Sequence, residues 1–176
     1  MTIMLRTLLI MSCLLLIPAI GNQTIEGWNW SLFDFVWAGA MIAGVQFAYH
    51  AFAKKINHHT YKMAAALGLG ATFILLWINA AVGIVGDDDG INMIFFLSIV
   101  ITFIVGSLIS KGSPRGMAKT LYALAGVTIL IPTAGFILSR AVYGKSPEMI
   151  KIYALCGMFA LLFIGSGLLF RKAAKK

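Results

Sequence analysis

The chain is poor in charge. Of its 176 residues only 11% are Asp, Glu, Lys or Arg, where a soluble domain carries about 25%. That is too few ionic groups to cover a surface facing water, and too few to hold a chain disordered. Cysteine is almost missing, at two residues, which excludes a disulfide-stapled scaffold. Acids are scarcer than bases, six against fourteen, and no charged heptad pattern of a coiled coil is present. What remains is apolar: 60% of the residues are hydrophobic and mean hydropathy is +0.92. The composition is that of a membrane protein.

A helix crossing the hydrocarbon core needs about 20 apolar residues. Such runs fall near 32–52, 63–85, 91–110, 119–139 and 149–170, each bounded by charge, Gly or Pro. They are long and unbroken, unlike barrel strands of about 10 alternating residues. The expected fold is all-α, an integral membrane bundle of five or six transmembrane helices. Residues 1–21 admit two readings. Thr7–Ile20 has the length of a signal-peptide core, with Ala19 and Gly21 placed for cleavage before Asn22. Alternatively Met1–Leu5 extends the run and Arg6 snorkels, giving a first transmembrane helix. Residues 22–176 form one bundle on either reading.

Basic residues fix the expected orientation. Arg6, Lys54, Lys55, Lys62, Lys111, Arg115, Lys119, Arg171, Lys172, Lys175 and Lys176 fall on one side of the spans. Arg140, Lys145 and Lys151 fall on the other, so eleven of the fourteen mark the cytoplasm by the positive-inside rule. The C-terminus is then cytoplasmic. Bases gathered at the inner leaflet, facing anionic lipid, also account for the net charge of +8 without nucleic acid. Trp28 and Trp30 outside, and Tyr49, Tyr61 and Tyr122 inside, read as an aromatic belt at the two interfaces.

Small residues predict where helices touch, because close approach and hydrogen bonds drive association in lipid. Gly39/Ala43 and Ala40/Gly44 lie on one span, Ala64/Gly68 and Ala66/Gly70 on the next. A tight antiparallel pair along those faces is expected. Bases at Arg6, Lys62 and Lys119 recur at intervals that suggest three stacked hairpins of shared topology. Pro132 removes the donor to the carbonyl of Thr128 and predicts a bend.

Polar residues in or near the spans are the candidate sites. Asp34 lies at the outer lip of a span, where a carboxylate either handles ions or serves a helix N-terminus. Asn79 lies about 10 Å below Gly86 and Trp77 deeper, with Asn79 a candidate for ligand contact or for bridging helices. Asp87, Asp88, Asp89 and Asn92 form an acidic outer stretch. Asp87 and Asp89 are the candidates there for a hard cation, although the spacing is not that of an EF-hand. The alternative is a hairpin cap with favourable helix-dipole contacts. Together with Glu26 and Asp34 these acids could form a mouth that concentrates cations.

His50, one turn after Gln46, is the cofactor candidate, but haem needs a second histidine at matched depth and no other span supplies one. Zinc would need further ligands, and Cys13 and Cys156 sit in different apolar segments. Ser166 in Gly165-Ser166-Gly167 could approach His50, yet no orienting third group or His-Glu-x-x-His motif accompanies them. No enzyme is expected and no cofactor is implied.

Trp28-x-Trp30 with Asp34-Phe35, then Trp77-x-Asn79 through Gly86, Asp89, Asn92 and Met93, then Pro114-x-Gly116-Met117-Ala118 resembles small multi-span inner-membrane proteins of bacteria that carry no assigned activity. The resemblance covers most of residues 28–170 and supplies no catalytic residue to carry over. It implies a bacterial inner-membrane location. The expectation is a non-catalytic accessory or structural membrane component, with a small cation-handling transporter or channel as its rival. Its partners are the lipid bilayer and other membrane proteins or further copies of itself.

Overall fold

The computed structural model describes residues 3–55, 58–85, 89–143 and 149–175. Six helices follow one another: α1 (Ile3–Thr24), α2 (Leu32–Lys55), α3 (His59–Val82), α4 (Asp89–Ser110), α5 (Pro114–Tyr143) and α6 (Met149–Ala173). All six are long and apolar enough to cross a membrane, and no strand occurs among the described residues. The fold is a helical bundle. Large apolar side chains such as Leu32, Phe33, Ile74, Ile109 and Leu161 are exposed along it. In water they would form extensive apolar patches; in lipid they meet their own kind.

Two compact units make up the chain, Met1–Ala51 and Phe52–Lys176. In the first, α1 stays helical through Pro18 and past Gly21. A Cβ on Gly39 of α2 would stand 3.4 Å from Met11 Sδ and 3.6 Å from Leu15 Cδ1. Both are ordinary van der Waals distances, so this face of α2 looks onto Met11 and Leu15 of α1 with room for a methyl. Asn22 then ties the link between them: its Oδ1 accepts from the Trp30 N–H at 2.7 Å and its Nδ2 donates to the Trp30 carbonyl at 3.1 Å.

The second unit is a ring of four helices. α6 packs on both α5 and α3, α5 packs on α4, and a thinner contact between α3 and α4 closes the ring. The buried face of α6 reads Cys156, Phe159, Ala160, Phe163, Ser166, Gly167 and Phe170, a stripe at helical spacing. Facing it on α3 are Ala64 and Gly68. The Ser166 hydroxyl donates to the Ala64 carbonyl at 2.8 Å, and a Cβ on Gly68 would stand 2.8 Å from that same Oγ. The Ala64/Gly68 pair is therefore a helix-packing face, occupied by α6. Gly44 and Gly70, expected to serve likewise, lie in open space. Of the expected hairpins, α5 with α6 makes the most extensive contact of this unit, whereas α3 contacts its sequence neighbour α4 less than it does α6.

Helix ends follow local chemistry. α5 begins at Pro114, five residues before the expected span, because Ser113 accepts from the Gly116 N–H through Oγ and proline suits the first helical position. Just before it, Lys111 and Gly112 take positive φ of 50° and 73°. The chain reverses there, with the Ser113 N–H donating to the Ser110 carbonyl. α5 remains helical through the buried Pro132, where Tyr153 of α6 donates to Thr133 Oγ1 at 2.9 Å.

Tyr61 departs from the aromatic-belt expectation. It is fully buried, its ring edge-on to Phe170 and its hydroxyl donating to the Gly112 carbonyl at 2.6 Å. A phenol placed there satisfies a turn carbonyl and fills the core at once.

Candidate functional site

Asp34 is held by Ser31. The carboxylate accepts from both the Ser31 N–H and the Ser31 hydroxyl at 2.7 Å, and the Asp34 N–H donates back to Ser31 Oγ at 3.3 Å. This is a reciprocal capping box at the start of α2, satisfying donors that a helix N-terminus leaves open. Ser31 is the partner that reading Asp34 alone misses, and the Ser-x-x-Asp spacing ahead of an apolar run is its signal.

Asn79 and Asn92 come together where α3 ends and α4 begins. Asn79 Nδ2 donates to the Asn92 carbonyl at 3.1 Å, while Asn79 Oδ1 accepts from the Ile84 N–H at 3.3 Å. Asn92 Oδ1 accepts from the Val85 N–H at 2.8 Å. Both asparagines are buried. Gly83, with φ of +64°, lets the chain leave α3 and slip under Asn92; a Cβ there would meet Asn92 Nδ2 at 2.8 Å. The pair closes the backbone bonds of the chain past Gly83, so its amides act on the protein itself. Trp77, on the same helix, packs against Phe73 with ring centroids 5.5 Å apart. Asp87 and Asp88 lie outside the described residues, and Asp89 opens α4.

His50 and Gln46 are one turn apart on α2. His50 Nε2 and Gln46 Nε2 are buried without a hydrogen-bond partner. Among the described residues no three His, Cys, Asp or Glu side chains converge as metal ligands. Ser166, the hydroxyl weighed against His50, is fully buried and bonded to Ala64.

At the opposite end of the four-helix ring from Asn79, a cavity of about 440 Å³ lies between the first turns of α5 and the last turns of α6. Arg115, Lys119 and Tyr122 line it from α5, Arg171 from α6 and Lys175 from the turn just beyond α6. The four cationic side chains are exposed, whereas the Tyr122 hydroxyl is buried and unpartnered. Gly167 sets the ring of Tyr122 against α6, for a Cβ there would meet Tyr122 Cε1 at 2.5 Å. Taken from the sequence, these four bases are orientation markers only. Their signal as a group is the spacing of four between Arg115 and Lys119, which puts that pair on one face of α5. That Arg171 and Lys175 meet this face is visible only in the structure.

Comparison with protein-family models, curated proteins and solved structures finds no match for the chain.

Proposed function

We propose that this is a polytopic protein of a bacterial inner membrane, C-terminus in the cytoplasm, acting as a non-catalytic accessory or structural component. One observation carries the reading. The polar groups that a cation pathway would draw on from the apolar helices, Asp34, Asn79 and Asn92, are engaged in capping and in bonding main-chain N–H groups. A carboxylate and two amides so engaged favour a fixed bundle over a conducting one, because freeing them would leave backbone donors unsatisfied. Deeper hydroxyls follow suit: Thr72 donates to the Gly68 carbonyl and Thr128 to the Leu124 carbonyl, both at 2.8 Å.

Contacts at the end of α1 support the reading of residues 1–21 as a first transmembrane helix. Asn22 grips Trp30, and Gly21 packs under the Trp28 ring, where a Cβ would stand at 3.1 Å. Helix continues across the position at which cleavage would fall.

Proteoliposome flux tests the proposal. Cation efflux from vesicles holding the purified protein should match that from empty vesicles. Efflux that Asp34→Asn abolishes would replace the accessory reading with the transport one. For the orientation, Lys175→Cys in a Cys13→Ser background should be labelled by a membrane-impermeant maleimide only after the cells are opened.

A further inference from the structure

We infer that the cavity between α5 and α6 binds a phosphate-bearing anion, best matched by the headgroup of an anionic phospholipid carrying two phosphates. Four cations from α5, α6 and the turn that follows α6 converge on one space of about 440 Å³, within the range of small-ligand sites, about 300–1,000 Å³. One like-charged pair, Arg115/Lys119, is set four residues apart within α5, a spacing that destabilises a helix on its own. Among the described residues of the four-helix unit no carboxylate offsets them. Its one acid there, Asp89, stands at the far end of α4, a helix length of about 33 Å away. A bound anion removes the mutual repulsion.

Tyr122 says what kind of anion. Its side chain lines the cavity and its hydroxyl is buried without a partner, and a buried hydroxyl without a bond is costly. A phosphate oxygen accepts from a phenol and from guanidinium groups alike, and Arg115 and Arg171 offer the paired N–H donors that fit it. One phosphate neutralises part of a fourfold charge; two phosphates neutralise more of it. Position agrees with a lipid source, because Arg115 and Arg171 stand at the ends of helices long and apolar enough to span a bilayer, and basic pockets between helix ends hold such headgroups. The inference does not depend on the accessory role.

The test uses the purified full-length chain in a zwitterionic detergent, with binding read by native mass spectrometry and by thermal unfolding. Probes are diphosphatidylglycerol, phosphatidylglycerol, phosphatidylcholine and inorganic pyrophosphate. Diphosphatidylglycerol should remain bound and raise the unfolding temperature most, phosphatidylcholine least. Arg115→Gln combined with Arg171→Gln should weaken that binding about thirtyfold, and Tyr122→Phe, which keeps the ring, about tenfold. Lys172→Gln, beside the cavity but not lining it, should leave binding unchanged. Pyrophosphate binding without lipid binding, lost in the same variants, supports the site and assigns its occupant to the aqueous phase. Equal binding of phosphatidylcholine overturns the inference, as does a Lys172→Gln loss matching that of the cavity variants.

Discussion

The side-chain nitrogen of Asn79 lies 3.1 Å from the main-chain oxygen of Asn92, joining the last turn of α3 to the first turn of α4. Asn92 answers by accepting from the Val85 N–H at 2.8 Å. Two amides so arranged satisfy the backbone donors of Ile84 and Val85, where the chain leaves α3 in an apolar setting. Asn79→Leu and Asn92→Ala should each lower stability by about 1–2 kcal/mol, and the double variant by less than their sum, since the residues share one network. Thermal and denaturant unfolding in detergent measures this. Unchanged stability would mean that the amides serve something other than the fold.

Gly83 holds φ of +64° beneath Asn92. Gly83→Ala adds both a strained backbone and a methyl 2.8 Å from Asn92 Nδ2. The expected cost is about 1–3 kcal/mol. A proteolysis assay should show cleavage near residues 83–92 rising before any other segment is cut.

The capping box predicts a modest effect at the start of α2. Ser31→Ala should cost about 0.5–2 kcal/mol, and Asp34→Asn less, because the amide oxygen can still accept from Ser31 while losing its charge at the helix end. Unfolding curves for the two variants, ranked against the parent, give the readout. An Asp34→Asn variant more damaged than Ser31→Ala would point to a second role for the carboxylate.

Where α3 meets α6 there is no room for a side chain at position 68. Gly68→Val would drive into Ser166 Oγ and Leu121, whose nearest atoms stand 2.8 and 3.0 Å from where a Cβ would sit. Overpacking of this kind costs about 1–3 kcal/mol. Ser166→Ala should do less harm on its own and relieve part of the Gly68→Val defect, since it removes the closer obstacle. Double-mutant unfolding measures that rescue.

Span positions are legible from apolar length alone, and the structure keeps Leu32, Ser110 and Met149 as helix ends. Caps are legible too, in Ser31-x-x-Asp34 and Ser113-Pro114, although they shift α5 five residues earlier than hydropathy suggests. Neighbour choice is not. Every helix offers lipid-like side chains, so apolarity does not distinguish one partner from another. Ala64 and Gly68 announce a close contact, yet only geometry names α6. Tyr61 looks like an interfacial phenol because burial is invisible in its immediate neighbours; its acceptor, Gly112, is 51 residues away. The cavity bases are hidden for another reason: the positive-inside rule already explains each one singly, and their convergence depends on α5 and α6 lying side by side.

The bond from Ser166 to Ala64 spans 102 residues. A ribosome adding about 5–20 residues per second therefore completes Ala64 about 5–20 s before the serine that bonds to it has been synthesised. Throughout that interval the nascent Ala64/Gly68 groove stands without its mate, open to lipid or to the insertion machinery. Assembly of the four-helix ring is accordingly a late event, timed by the arrival of the final helix.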